Sequence, residues 1–308
     1  ASDVVCENFR PGTLERWNID PSRLDPRVVT VRISVFGQEG PKSLRPGLDR
    51  NGVAYGGLLH LTGEPDRPPV RPGVTVTDYL TGVFSAQAAT ALLYERDAKG
   101  TGEGGVIDAY LYGSALRILE WTIAAYDRLG LVRSRTGNRL AHSAPLDNYP
   151  SRDGRYVCIV AAAQNNFERL CAAMERPDLL TDERYATPAG RAANNEAINT
   201  IVAEWAAGLD AAEIERRCID HDVPVGTAYD AADLSTDDHV LARGDILTVD
   251  DPVIGGVRQQ APFPRLDGET GGPPAGAPRL GQDTDEVLRE VLGLDPSEIA
   301  ALRGEGIV

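Results

Sequence analysis

The sequence predicts an α/β protein. Residues 28–36 alternate apolar and polar side chains, which is the period of a β-strand with one more polar face. Apolar side chains between Leu80 and Leu92 instead recur at steps of three and four, which predicts a helix with one apolar stripe. A second strand is expected at 106–111 and a second helix at 115–129, so strands and helices alternate along this part of the chain.

The predicted helix begins at Thr77 and Asp78, where capping residues belong, and Gly100 ends it. Its apolar stripe comprises Leu80, Val83, Phe84, Ala88, Ala91 and Leu92. One interpretation of Asp78 is an N-cap, because aspartate is among the best capping residues. A second is a nucleophile, because the helix dipole and free backbone N–H groups keep such a carboxylate ionised and available for attack. The two are compatible. Gly82, one turn further, leaves room for a ligand or a neighbouring backbone.

The chain divides into segments of different composition. Residues 1–132 hold the elements above and form a large domain, and the polar, aperiodic residues 133–153 form a linker. Short apolar strands and amphipathic helices over 154–249 predict a small α+β domain. Residues 250–308 begin with a Gly- and Pro-rich stretch, expected to be loop up to residue 278, and close with two helices.

Composition excludes several classes of function. The net charge of -15 disfavours nucleic acid and anionic membranes as partners. No apolar run is long enough to span a bilayer and the N-terminus lacks a secretory pattern, so we expect a cytoplasmic protein. The four cysteines form no CxxC pair and are expected to be buried, reduced thiols. The four histidines match no metal-ligand pattern, so no metal is expected. Residues 1–50 carry eight basic and seven acidic side chains and are the stretch best suited to a polyanionic ligand.

Several short segments, taken in order, resemble the class III coenzyme A transferases, a family that includes formyl-CoA transferase and α-methylacyl-CoA racemase. The segments are Glu7–Gly12, Ser34–Pro41, Arg45–Asp49, Leu61–Pro65, Asp182–Tyr185, Val223–Gly226 and Ala277–Gly281. Each is weak alone, but their shared order and spacing extend over nearly all of the chain.

The resemblance implies a large domain with a Rossmann-like parallel sheet built from both chain ends, so that residues 250–308 return to it, and an interlocked homodimer. It implies that Asp78 attacks an acyl-CoA thioester and that coenzyme A then passes to a carboxylic acid through an aspartyl anhydride and an aspartyl-CoA thioester. Coenzyme A is thus a substrate, and no permanently bound cofactor is expected. The positions expected near coenzyme A are Asn8, Phe9, Thr13 and Arg16. In the linker, Asn138, Arg139 and His142 are weaker candidates for contact with the acyl group.

Alternatives stay open at this point. Racemases of this family carry a histidine where this chain has Leu48, which cannot move a proton, so racemisation of a 2-methylacyl-CoA is disfavoured. The two carboxyl groups could belong to one molecule, which would make the net reaction an isomerisation. The family's N-terminal βαβ region does not precede Glu7–Gly12 here. The chain could therefore be a fragment, have a misassigned start, or be a non-catalytic subunit whose partner chain supplies that region.

Overall fold

A computed structural model describes residues 2–19, 24–268 and 276–308. The chain forms two compact units, Ala1–Thr227 and Ala228–Val308. The division into large domain, linker and small domain remains a prediction.

The first unit begins with a parallel sheet of three strands, in the order β1-β2-β3. The strands are β1 (Val4–Glu7), β2 (Val29–Ser34) and β3 (Gly105–Tyr110). Because β2 is the central strand, Val29, Thr30 and Val31 are all buried although successive side chains point to opposite faces. The predicted α/β class with a parallel sheet is confirmed. A contribution of the C-terminal residues to this sheet remains a prediction.

Six helices accompany this sheet in the described part of the unit. They are α1 (Thr13–Arg16), α2 (Asp49–Tyr55), α3 (Leu58–Leu61), α4 (Val76–Asp97), α5 (Leu111–Arg117) and α6 (Thr122–Leu129). The prediction of a single helix over 115–129 is wrong. Glu120, which has a positive φ of 54°, lies between α5 and α6. Gly130 ends α6 in the left-handed conformation, as its position predicts.

The predicted apolar stripe of α4 faces the interior only in part: Leu92 packs against the core of the parallel sheet, but the middle of the stripe does not. The buried residues of this helix are Thr77, Thr81, Ser85, Ala89 and Arg96, whereas Val83 is 66% and Phe84 38% exposed. Small side chains let α4 pack closely against α5, and periodicity alone does not distinguish that face from the apolar one. The part of the apolar stripe around Val83 and Phe84 therefore lies on the surface of the chain.

The remainder of the first unit is an antiparallel sheet in the order β4-β5-β6, covered by helices. The elements are β4 (Leu146–Pro150), β5 (Tyr156–Val160), α7 (Gln164–Ala173), α8 (Pro188–Ala193), α9 (Asn195–Ala207), α10 (Ala211–Asp220) and β6 (Val225–Thr227). Strand β4 lies inside the segment expected to be an irregular linker. Its Tyr149 is buried and donates a hydrogen bond to Asn199 Oδ1, so tertiary contacts order a polar stretch.

The second unit contains a hairpin and four helices among its described residues. They are α11 (Ala231–Thr236), α12 (Asp238–Arg243), β7 (Ile246–Asp251), β8 (Gly255–Gln260), α13 (Thr284–Leu292) and α14 (Pro296–Gly304). The prediction of a loop from residue 250 onward is wrong for the end of β7 and for β8, because these residues pair with each other in the hairpin. Residues 269–275 of that stretch lie outside the described residues.

The cysteines only partly match their expected burial. Cys171 and Cys218 are buried, and burial raises the pKa of each thiol to about 12. Cys6 and Cys158 are exposed, which corrects the expectation of four buried thiols. All four are free thiols.

Candidate active site

Asp78 lies in the first turn of α4, three residues after the cap position Thr75. It is therefore not the N-cap, and that interpretation of the sequence is wrong. The first turn is held from elsewhere: the carboxylate of Asp49 accepts hydrogen bonds from Thr77 N (2.9 Å) and Thr77 Oγ1 (2.6 Å). Since Asp49 satisfies these donors, Asp78 is not occupied in capping and its carboxylate is left for other contacts.

The start of α4 packs into a polar junction with α2 and α5, formed by Asp49, Gly52, Thr77, Leu111 and Ser114. Ser114 Oγ donates to Thr77 O at 3.3 Å, and Asp49 is only 6% exposed. A Cβ atom on Gly52 would lie 2.7 Å from Leu111 Cβ and 3.0 Å from Thr77 Oγ1, so only glycine admits this close approach. This junction fixes the backbone on which Asp78 sits.

Asp78 lines a cavity of about 710 Å³. Its walls come from the end of β1, the end of β2, the segment that leads into α2, and the first residue of α5. The lining residues used below are Asn8, Phe9, Arg10, Arg45, Leu48, Asp49 and Asp78. The structure thus brings together three of the residues predicted from the sequence: the candidate nucleophile Asp78 and two candidate coenzyme contacts, Asn8 and Phe9.

The electrostatic environment of Asp78 makes it more basic. Partial burial raises the pKa of this carboxyl above its usual range, and the nearby Asp49 carboxylate raises it further. Asp78 is nevertheless exposed on its outer side, and among the described residues its carboxylate accepts no hydrogen bond. A carboxylate that is accessible and unusually basic for an aspartate is a better nucleophile than one held in an ion pair.

The segment that carries Asn8 and Phe9 is held by a buried carboxylate. Glu7 accepts a hydrogen bond from Phe9 N at 2.8 Å and another from Arg32 Nε at 2.8 Å. Arg32 also forms an ion pair with Glu15 of α1 at 2.9 Å. The end of β1, the next strand and α1 are therefore fixed to one another by charge-assisted bonds.

Thr13 and Arg16 do not line the cavity. Thr13 is buried at the start of α1, and its hydroxyl accepts a hydrogen bond from Arg16 Nη2 at 2.8 Å. Their role as coenzyme contacts remains a prediction.

The candidate residues in the predicted linker, Asn138, Arg139 and His142, do not line the Asp78 cavity. Asn138 and Arg139 line a second cavity of about 410 Å³ together with Glu64 and Asp147, and Arg139 forms an ion pair with Asp147. His142 is exposed and lines neither cavity. The structure therefore does not bring this group to Asp78, and its contact with the acyl group remains a prediction.

Two further residues refine the sequence-based site. Gly82 faces open space: a Cβ atom there would have no neighbour within 4 Å among the described residues, so none of them occupies the room that this glycine leaves. Asp49 was not selected as a functional residue from the sequence. Its only signal was its place in the segment Arg45–Asp49, which was singled out by resemblance. The helix that begins at Asp49 was not predicted from the sequence.

Across residues 2–19, 24–268 and 276–308, no group of three or more His, Cys, Asp or Glu side chains is arranged to hold a metal ion. No helix in the described part of the chain combines the length and the apolar character needed to cross a membrane.

Comparison with known proteins decides the family. Residues 1–284 match the model of CoA-transferase family III. The chain belongs to this family. The transferase is 37% identical over 309 residues to succinyl-CoA–D-citramalate CoA-transferase of Chloroflexus aurantiacus, an alignment that covers 99% of this chain and 76% of the relative. It is also 37% identical over 311 residues to the alpha subunit of succinyl-CoA–L-malate CoA-transferase of Chloroflexus aurantiacus, covering 100% of this chain and 72% of that subunit.

A solved structure agrees with the fold. The transferase superposes on a CAIB/BAIF family protein from Brucella suis with a TM-score of 0.82 and 29% identity, over 94% of this chain and 75% of that one. The chain is accordingly a class III CoA-transferase, an enzyme that transfers coenzyme A between an acyl-CoA and a carboxylic acid.

Proposed function

We propose that Asp78 is the nucleophile of this transferase and that coenzyme A moves through covalent intermediates on its carboxylate. The observation that carries the proposal is the cavity of about 710 Å³, in which Asp78 meets Asn8 and Phe9, the residues expected to contact coenzyme A. The raised pKa of Asp78 supports the same role, because a more basic carboxylate attacks a thioester carbonyl more readily.

The reaction proceeds in four exchanges. A carboxylate oxygen of Asp78 attacks the thioester carbonyl carbon, the C–S bond breaks, and CoA thiolate leaves a mixed anhydride. The thiolate then attacks the Asp78 carbonyl carbon and releases the donor acid, which leaves an aspartyl-CoA thioester. The acceptor carboxylate attacks that thioester to form a second anhydride and free thiolate. The thiolate finally attacks the acceptor carbonyl, which gives the new acyl-CoA and restores the Asp78 carboxylate. No net proton or electron is exchanged, and one difficult step becomes several easier ones.

The substrates we propose are dicarboxylic. Both relatives described above are named for succinyl-CoA as donor, with citramalate or L-malate as acceptor. We therefore expect succinyl-CoA as the donor and a four- or five-carbon dicarboxylic acid as the acceptor. Transfer within one molecule would appear as conversion of a single acyl-CoA without added acid.

The decisive experiment is Asp78→Ala assayed with succinyl-CoA and a panel of acids. We expect transfer to fall by at least about 10³-fold, because removal of a covalent nucleophile removes every later intermediate. Asp238→Ala is the matched control, since Asp238 is an exposed aspartate in the first turn of α12. Unchanged transfer by Asp78→Ala would refute the assignment.

A trapping experiment tests the covalent step directly. After incubation with succinyl-CoA and no acceptor, intact mass spectrometry should detect a coenzyme A adduct that peptide mapping places on Asp78. The Asp78→Ala variant should carry none. An adduct on another residue, or turnover without any adduct in rapid-quench samples, contradicts the proposal.

We also propose that the transferase acts in the cytoplasm as a dimer, either with a second copy or with a related subunit. One relative is itself named as an alpha subunit. The exposed apolar face of α4, with Tyr79 70% and Val83 66% exposed, is of the kind that partners cover. Light scattering after size exclusion should give twice the chain mass of 33.0 kDa. A monomer that transfers coenzyme A contradicts this arrangement.

A further inference from the structure

Arg45 is a cation in the Asp78 cavity that the covalent mechanism does not use. Its guanidinium lies 5.5 Å from the centre of the Phe36 ring, and Phe36 in turn packs edge-to-face against Tyr55 at 5.2 Å. Phe36 is only 9% exposed, so the ring that supports Arg45 is anchored in the protein. Within the described residues the guanidinium forms no ion pair. Arg45 is thus pre-organised by an aromatic ring, with its hydrogen-bond donors left for a ligand.

A short path connects Arg45 to the nucleophile. Four residues after Arg45, Asp49 enters the polar junction and binds both the backbone N–H and the hydroxyl of Thr77. Thr77 immediately precedes Asp78. The segment that carries Arg45 is therefore tied by hydrogen bonds to the turn that carries Asp78.

The charges of the cavity require a cation for a dicarboxylic substrate. Asp49 and Asp78 both line it, so the carboxylate of a succinyl group that is not in the thioester would enter a region with two negative side chains. An unpaired anion in such a place is unfavourable unless a hydrogen-bonding cation compensates it. Two basic side chains, Arg10 and Arg45, are part of the described lining.

The two arginines belong to different walls. Arg10 follows directly after Asn8 and Phe9, in the wall expected to contact coenzyme A. Arg45 belongs to the wall that leads through Asp49 to the nucleophile. The planar guanidinium can bind both oxygens of one carboxylate, which a lysine ammonium cannot reproduce.

We propose that Arg45 binds the free carboxylate of the acyl group and so selects dicarboxylic over monocarboxylic substrates. This inference rests on the proposed function, because it takes the Asp78 cavity as the site of acyl transfer. Arg45 is in this view a specificity-determining residue, whereas Arg10 serves the coenzyme side.

The test compares ligands that differ only at the far end of the acyl group. Succinyl-CoA and butyryl-CoA share the coenzyme and the chain length but end in a carboxylate and a methyl group respectively. Because Arg45 is exposed in the free chain, we expect Arg45→Ala to lower the preference for succinyl-CoA over butyryl-CoA, measured as the ratio of kcat/KM, by about fivefold. Arg45→Lys should retain part of the preference. Arg10→Ala is the matched control and should weaken both thioesters together, leaving the ratio unchanged.

A measurement of binding tests the inference independently of catalysis. Isothermal titration of the two thioesters into the wild-type chain and Arg45→Ala should give the same loss of discrimination in Kd, even if Asp78 proves not to be the nucleophile. Both ligands contain the same phosphates. If Arg45 contacts coenzyme A instead, Arg45→Ala should weaken the binding of both thioesters equally, and that result overturns the inference. A wild-type chain that binds butyryl-CoA as tightly as succinyl-CoA, or an Arg10→Ala variant that alone loses the preference, overturns it as well.

Discussion

The two halves of the first unit are built by different physical means. Residues 144–223 enclose a continuous apolar core, in which Ile159, Leu170, Ile198 and Ile214 are fully buried. Around the parallel sheet the described apolar cluster is smaller, with Val29, Val31 and Ala89 as its buried members, and further buried apolar side chains such as Leu111 lie outside it. The start of α4 is held by polar contacts to Asp49 and Ser114. The region that carries the candidate nucleophile is thus the less apolar of the two.

This difference suggests that one region contributes most of the stability and that the other positions Asp78. Apolar burial is non-directional and gives the half around residues 144–223 its free energy of unfolding. Hydrogen bonds are directional, so the polar junction determines the position of Asp78 rather than contributing most of the stability. Substitutions in the two regions should consequently separate loss of folding from loss of activity.

The largest effect on stability is expected from Arg191→Ala. Arg191 is fully buried, lies over the Phe167 ring at 4.2 Å, and donates to Ala144 O, Tyr185 O and Ala162 O. Its loss leaves a cavity and several buried carbonyl oxygens without donors, so the free energy of unfolding should fall by about 3 kcal/mol or more. Urea unfolding followed by circular dichroism measures the change. Arg184→Ala, an exposed guanidinium in the same segment, is the control, and an equal loss in both variants would contradict this account.

Asp49→Ala is expected to act on both stability and transfer. The Thr77 N–H and hydroxyl lose their acceptor, which should cost about 1–3 kcal/mol and displace the turn that carries Asp78. Asp49→Asn retains an acceptor oxygen and should recover most of the stability. Thermal unfolding and transfer rates of both variants test the comparison, and a fully active, fully stable Asp49→Ala would show that the polar junction does not position the nucleophile.

The pH dependence of transfer should report the raised pKa of Asp78. The carboxylate must be ionised to attack, so kcat/KM should decline as the pH falls through this pKa, at a higher pH than for an ordinary aspartate. Asp49→Asn removes the neighbouring negative charge and should move the decline to lower pH. A decline at the same pH in both enzymes would exclude Asp49 as a cause.

The smallest effect is expected from Arg152→Ala. Arg152 forms an ion pair with Asp210 at 2.7 Å, but its side chain is 61% exposed. Solvent screens such pairs, so the free energy of unfolding should hardly change. Urea unfolding in low and high salt provides the measurement. A loss of stability larger than that of Asp49→Ala would contradict the view that the buried Asp49–Thr77 bonds contribute more than this exposed ion pair.

The sequence predicted the local elements of the site better than their packing. The alternation of residues 28–36 led to β2, and the three-four periodicity led to α4, because backbone period is a local property. The same periodicity did not predict which residues the first half of α4 buries. Thr81 and Ser85 are buried because they face β3 and α5, and the position of these elements is not encoded in the pattern of one helix. Strand β4 was missed for a similar reason, since its order depends on a distant partner, Asn199.

The sequence by itself determined the α/β class, the helix that bears Asp78 and, through ordered motifs, the family. Only the tertiary structure decided that Asp49 rather than Asp78 holds the first turn, that Asn8 and Phe9 share a cavity with Asp78, and that the linker residues Asn138 and Arg139 do not. The physical reason is the distance along the chain over which each kind of interaction acts. Propensity and periodicity act over a few residues, whereas the Asp49–Thr77 bonds join positions 28 residues apart and form only when the packed chain brings them together.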